Sequence, residues 1–159
     1  MTIADRAVLV TGANRGLGRA LVDEALRRGA QRVFAGTRQP LAHSDGRVTP
    51  LTLDVTDAAQ IHAAVERVGS LDVLINNAGV DLQGEVSDRV LLDRHLAVNL
   101  FGTYSVAQAF VPLLTRSRGA IVNVLSVAAV AALPFTPTYS ISKAAALNLT
   151  QALRALLAA

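Results

Sequence analysis

Tyr139 and Lys143 stand four residues apart at the start of a strongly helical run, "YSISKAAALNLTQALRALLAA". On a helix that spacing puts both side chains on one face, with Cβ atoms about 5–6 Å apart, which suits an acid/base pair. A free phenol titrates at about pH 10, so proton exchange near neutrality asks for about 4 kcal/mol of preferential phenolate stabilisation. A neighbouring ammonium pushes in that direction, because an opposite charge favours the ionised form. Taken singly, Tyr139 also reads as an aromatic at a core edge and Lys143 as a solvated helix residue, so the pair needs company to carry chemistry.

A second motif, "TGANRGLG", runs from Thr11 to Gly18. It lies where the β-branched run "RAVLVTG" feeds a helical pattern with apolar residues at Leu17, Leu21, Val22, Ala25 and Leu26. A tight strand-to-helix turn needs one residue without Cβ, close backbone approach to a pyrophosphate needs another, and helix-to-strand packing a third. Gly12, Gly16 and Gly18 fit those roles. The helix start offers free amides and a positive dipole end to phosphates, and a P-loop is excluded because no Gly-Lys-Ser/Thr follows. Arg15 at that start opposes the dipole, a mild penalty that a bound anion removes. Arg38 ends "AGTR", which contains no acid to hydrogen-bond an adenosine ribose. Two arginines and no carboxylate favour the 2′-phosphate of NADP over NAD.

The elements that must hold these residues alternate along the chain. "QRVFAGT", "RVTPLTLDV" and "LDVLINNAG" read as strands, and "TDAAQIHAAVERVG" as a helix that Thr56 or Asp57 can cap. Residues 88 to 117 read as one or two helices with Pro112 near a bend or boundary. "GAIVNVLSV" is the next strand, ending at Ser126, and the final helix begins near Tyr139 after the stiff "LPFTPT". This βαβ order implies a parallel sheet with helices on both faces, an α/β architecture of three layers. Only ten residues separate Thr37 from Val48, too few for a crossover helix, so a loop or one helical turn is expected there. Residues 1–159 form one domain, with no internal repeat and no linker.

Composition narrows the function classes. With 52% hydrophobic and 17% charged residues, the chain is not disordered and has segments buried on two sides. The net charge of +3 comes from scattered arginines, with 4% aromatics and no basic run, which argues against nucleic-acid binding. No cysteine is present, so disulfides and thiolate metal sites are excluded. The start "MTIADRAVLV" lacks a secretory pattern, and Arg, Asp or Pro interrupts each apolar stretch before it approaches a membrane span. A soluble cytoplasmic protein with no membrane partner is expected. His43, His62 and His95 lack metal-ligand spacing and are read as structural or solvated.

Together the motifs spell a family. The chain resembles the short-chain dehydrogenase/reductase family through "TGANRGLG", "LDVTD", "NNAG" at 76–79, Asn99, Ser126 and "YSISK" at 139–143, in the family's order over almost the whole chain. The resemblance implies a Rossmann-like doubly wound sheet and an NADP(H) site on Gly12, Asn14, Arg15, Gly16, Leu17, Gly18 and Arg38. It further implies that Asp54 and Val55 contact the adenine, and that Asn76, Asn77, Ala78 and Gly79 support the sheet and the adenosine side. Tyr139 would exchange a proton with the substrate oxygen of a small carbonyl or alcohol while hydride moves at the nicotinamide. Lys143 would also hold the nicotinamide ribose, Ser126 polarise the carbonyl, and Asn99 hold a water in a proton relay to Lys143.

Relatives of this kind continue beyond the tyrosine helix with further strands and a substrate cover, whereas this sequence ends at Ala159. The expectation is a C-terminally truncated form. "AIVNVL" is then an open sheet edge, and the last helix, apolar all round, needs burial in a homo-oligomer. Two readings follow: an NADP(H)-dependent carbonyl or alcohol oxidoreductase, or a dinucleotide-binding module that holds cofactor without turnover. The apolar "SVAAVAALPFTPT" is the expected wall of the substrate pocket.

Overall fold

Five short runs rich in Val, Leu and Ile pair into one parallel sheet. In a computed structural model, which describes residues 2–39 and 41–157, they are β1 (Ala7–Thr11), β2 (Arg32–Thr37), β3 (Val48–Thr52), β4 (Val73–Asn76) and β5 (Ala120–Asn123), in the order β3-β2-β1-β4-β5. Every pairing is parallel, so all five carboxyl ends meet at one sheet edge. Pro50 lies within β3, where it is tolerated because β3 is an outer strand.

Side chains alternate across the sheet and build two cores. On one face Val8, Val10, Val33 and Val73 meet Val22, Ala25 and Leu26 of α1 (Gly16–Arg27). On the other, Leu9, Phe34 and Leu74 meet Ile61 and Val68 of α2 (Ala58–Val68) and Val106, Phe110 and Leu114 of a later helix. The doubly wound, three-layer arrangement is therefore the one the alternation predicts. The link from Arg38 to Arg47 contains no helix among its described residues. Asp57, not Thr56, caps α2, accepting from the amides of Ala59 and Gln60.

Residues 89–117 form one continuous helical stretch: α3 (Arg89–His95), a π-helical segment (Leu96–Gly102) and α4 (Thr103–Ser117). Two expectations need correction here. Pro112 lies inside α4 rather than at a boundary. The carbonyl it leaves without an amide donor belongs to exposed Gln108, where water can serve it. The stretch is also long and apolar enough to cross a membrane by length and composition. Its Val106, Ala107 and Phe110 are nevertheless fully buried against this protein's own sheet.

The final helix, α5 (Pro137–Leu157), starts two residues earlier than expected, with proline in the first turn, where its missing amide costs nothing. Its first turns bury Thr138, Ser140, Ser142 and Lys143, and in the run from residue 146 onward Ala146 and Leu153 are buried while Leu156 and Leu157 stay exposed. β5 ends at Asn123, short of Ser126. The Val124 amide still reaches the Asn76 carbonyl at 2.9 Å, after which Ser126 draws the chain into a short 3-10 turn (Val127–Ala129) by accepting from the Ala128 amide. Among the described residues β5 pairs with β4 alone, and Val122 is 46% exposed, as an open edge requires.

Candidate active site

From β1 the chain winds outward to β2 and β3, and on the other side to β4 and β5. The crevice beyond the carboxyl ends of β1 and β4 is thus the switch point where ligands of open α/β sheets bind. The glycine loop and the segment after β4 meet there. A Cβ on Gly12 would lie 2.9 Å from the Ala78 Cα, and one on Gly18 would collide with the Gly12 carbonyl oxygen. Asn77 ties the two segments together: its amide donates to the Thr11 hydroxyl at 3.0 Å and its Nδ2 to the Thr11 carbonyl at 2.9 Å. The Ala78 amide shares the same hydroxyl.

Gly16 behaves differently. Its φ is +53°, and a Cβ there would meet nothing within 4 Å, so the loop faces open space at this point. Arg15 occupies the cap of α1 without a side-chain cap bond, and the first turn holds no acid. Neither Arg15 nor Arg38 joins an ion pair among the described residues. Asn14, Arg15 and Leu17 are exposed beside that space. Uncapped amides, an open glycine and two unpaired guanidinium groups fit a ligand carrying a pyrophosphate and a further phosphate.

Behind Arg38, Asp54 accepts from the Thr56 amide at 2.9 Å and the Thr56 hydroxyl at 2.7 Å. Those bonds, with a contribution from the Arg38 charge, hold its carboxyl below the usual range. The Val55 side chain is buried and turned into the π-helical segment, where a Cβ on Gly102 would lie 2.6 Å from it; only its backbone is left to face an adenine. Asn76 is 4% exposed and braces the sheet, its Nδ2 donating to Asn123 Oδ1 at 2.9 Å. Asn123 in turn donates to Thr150 of α5 at 2.9 Å.

Tyr139 and Lys143 do project from one face of α5, with the lysine Nζ 5.8 Å from the centre of the phenol ring. Lys143 is 7% exposed, and burial pushes its ammonium below the ordinary lysine value. The Val124 carbonyl takes one of its three protons at 3.1 Å. Gly79 packs where Lys143 and Asn99 converge: a Cβ there would lie 3.2 Å from Asn99 Oδ1 and 3.6 Å from Lys143 Nζ. The Asn99 side chain is fully engaged, accepting from the Val80 amide and donating to the Val80 carbonyl and Ser142 Oγ, each at 2.9 Å. Ser126 accepts from Ala128 at 3.1 Å, which leaves its own proton free to donate.

An open recess of about 580 Å³ lies between the segment bearing Val86 and that bearing Pro134, Phe135 and Pro137, just ahead of Tyr139. Phe135 is 63% exposed there, so part of the expected apolar wall lines it. A larger recess of about 650 Å³ lies between α4, α5 and β5, around Leu114, Ile121 and Leu153. It holds none of the reactive residues, so size is a poor guide to the site.

Five polar residues of this region were not singled out from the sequence for it: Thr11, His95, Thr138, Ser142 and Thr150. His95 is the one with a legible signal, standing four residues before Asn99 and thus on the same helix face. His43 and His62 lie elsewhere, beside Asp23 and Glu66.

A family described as short chain dehydrogenase matches residues 6–159. Over 162 residues the chain is 35% identical to estradiol 17-beta-dehydrogenase 2 of Mus musculus, spanning 91% of this chain and 42% of that protein. Identity to 2-(S)-hydroxypropyl-CoM dehydrogenase 3 of Xanthobacter autotrophicus is also 35%, over 168 residues, 96% of this chain and 66% of that protein. This chain therefore spans less than two thirds of the length of either curated relative. The crystal structure of a short chain dehydrogenase from Burkholderia cenocepacia in complex with NADP matches with a TM-score of 0.95 at 42% identity, over 99% of this chain and 69% of that one. The Rossmann-like fold is common to both.

Proposed function

The chain belongs to the short chain dehydrogenase family, and from that premise we propose that it is an NADP(H)-dependent oxidoreductase that interconverts a carbonyl and an alcohol. The observation that carries the reading is the buried Lys143 beside Tyr139 on one face of α5, at the sheet edge that also bears the glycine loop. Gly12, Gly16, Gly18, Asn14, Arg15 and Leu17 would receive the pyrophosphate, and Arg38 the 2′-phosphate. Asp54, the Val55 backbone and the 76–79 segment would border the adenosine. When bound, the nicotinamide would supply or accept the hydride.

The chain's own residues handle the proton. In the reducing direction the Tyr139 hydroxyl gives its proton to the substrate oxygen as the carbonyl carbon gains hydride. The phenolate left behind is stabilised by the Lys143 ammonium, whose remaining protons can also reach a ribose. Ser126 donates to the carbonyl oxygen and polarises it. Asn99 supports the reading as the anchor of the segment beside Lys143, and would hold a water in a proton relay to that lysine. The recess at Phe135 and Val86 would receive the small-molecule substrate. A cytoplasmic setting and a homo-oligomer, with α5 in the interface, complete the proposal.

NADPH fluorescence titration followed by reduction of a ketone panel tests it. Turnover with NADPH supports the reading, and Tyr139→Phe should then lower kcat by about 10²–10⁴-fold with cofactor affinity nearly intact. Retained activity in that variant refutes Tyr139 as the proton donor. Binding without turnover in the unaltered chain favours the second reading, a cofactor-binding module without catalysis.

A further inference from the structure

His95, the last residue of α3, is fully buried and makes two hydrogen bonds to two different elements. Its Nε2 receives the Leu82 amide at 3.0 Å. An amide can only donate, so Nε2 is unprotonated and the neutral ring carries its proton on Nδ1. That proton faces Thr138 Oγ1 at 3.0 Å. Thr138 precedes Tyr139, whose ring stands edge-on to the imidazole at 5.9 Å and 65°.

One turn along the same helix Asn99 makes a parallel bridge, from Val80 to Ser142. Two rungs, Leu82–His95–Thr138 and Val80–Asn99–Ser142, therefore clip the segment after β4 to α5 on either side of Tyr139. A phenylalanine at position 95 could fill the space and would make neither bond.

The charged and titratable groups around the ring come from three directions. Burial lowers the pKa most, Asp81 on the segment after β4 opposes it by favouring a charged ring, and Arg94 on its own helix adds to the lowering. From α5 comes Tyr139, with Lys143 beside it. Protonating Nε2 would set donor against donor at the Leu82 amide while leaving the Thr138 bond in place.

We propose that His95 is a positioning residue: its neutral ring holds the Thr138–Tyr139 turn and the Leu82 segment in register, and acid releases the Leu82 segment. The catalytic part of this role rests on the oxidoreductase reading; the tie itself does not. In ¹⁵N-labelled chain, imidazole nitrogen shifts should show the Nδ1–H form at about pH 8 and a midpoint below the ordinary histidine value of about 6.5. Leu82 amide exchange, corrected for its intrinsic pH dependence, should accelerate at least about tenfold through the same midpoint. The other tautomer, or Leu82 protection unchanged as His95 titrates, overturns the tie.

In turnover, Thr138→Val keeps the shape of threonine but removes the acceptor, and should lower kcat about tenfold to a hundredfold with the NADPH KM within about twofold. His95→Gln should remove the acid limb of kcat that follows the Leu82 transition. An acid limb unchanged in His95→Gln overturns the positioning role, because a purely structural histidine would alter stability alone. Absence of turnover in the unaltered chain defeats the oxidoreductase reading and the catalytic part of the role together; the tie is then decided by the nitrogen shifts and the Leu82 exchange.

Discussion

At the glycine loop the contacts are backbone against backbone: Gly18 abuts the Gly12 carbonyl, Gly12 abuts the Ala78 Cα, and Asn77 stitches the edges. At the tyrosine end they run through side chains, with His95, Asn99, Thr138, Ser142 and Lys143 all buried and nearly all hydrogen-bonded. The first end has no room for an added atom at Gly12 or Gly18, although it is open at Gly16, and contains nothing that titrates near neutrality. The second has ordinary packing, but each lost bond strands a polar group out of reach of water. The nucleotide end should therefore fail by added volume, and the reactive end by lost hydrogen bonds or by acid.

The sharpest way to break that contrast is one methyl group. Gly18→Ala places a Cβ against the Gly12 carbonyl and 2.5 Å from Asn77 Nδ2. Because the obstacle is partly backbone, the loop itself must move, at a cost of about 1–3 kcal/mol or more. NADPH affinity should fall more than about a hundredfold, since the amides that face the phosphates move with the loop. Fluorescence titration and urea unfolding measure the two effects, and unchanged affinity would mean that the loop is not the phosphate site.

Asn99→Ala is the counterpart at the other end. It strands the Val80 amide and carbonyl and leaves Ser142 Oγ without its donor, costing about 1–3 kcal/mol in urea unfolding. Here kcat should fall while the NADPH Kd stays within about threefold, the reverse of the glycine variant. Equal losses of affinity in both variants would show that the two ends act as one unit.

These ends also differ in how much of them the sequence discloses. The glycine loop is legible because its constraints are local: strand, turn and helix start lie within eight residues, and each glycine answers a steric demand made by its neighbours. The parallel sheet and the helix faces follow from periodicity in the same way, and the link after Thr37, which has no helix among its described residues, follows from its length. The rungs are not legible, because His95 to Thr138 and Asn99 to Ser142 each join residues 43 apart, and no local period marks a pair that meets only after folding. Pro112 and Ser126 lie away from their expected places for a related reason. A local breaker or strand-end rule was overridden by where the chain lies, with the Gln108 carbonyl in solvent and the Ser126 hydroxyl capping the next turn.

Acid sharpens the comparison at a smaller scale. Burial lowers the His95 pKa from its ordinary 6.5, so just below pH 6.5 the unfolded chain binds the proton more readily than the folded one. Stability due to the neutral ring is then fully present above about 6.5 and is lost as pH falls, by at most about 1.4 kcal/mol per pH unit. The Glu24 carboxyl, lowered from 4.5 to about 2 by hydrogen bonds from Arg27 and Arg28, also loses its contribution on acidification, but only below about 4.5. Urea midpoints measured between about pH 7 and pH 5 should therefore fall in the unaltered chain and flatten in His95→Gln. A slope that persists in the variant would place the titrating group elsewhere.

The smallest effect should split in sign. Arg15 sits at the cap of α1 with no cap bond and no acid in the first turn, a poor choice for helix stability that an anion would justify. Arg15→Ser supplies a hydroxyl acceptor for the free amides and removes a charge opposed to the dipole, which should stabilise the cofactor-free chain by about 1 kcal/mol. The same change removes a phosphate partner and should weaken NADPH binding about tenfold, equivalent to about 1.4 kcal/mol. NADH affinity should fall less if the arginine serves the 2′-phosphate, and equally if it serves the pyrophosphate, so the ratio assigns its contact. A variant that loses stability without losing affinity would mean that Arg15 is held there by the fold itself, leaving Arg38 and the open face of Gly16 to receive the phosphates.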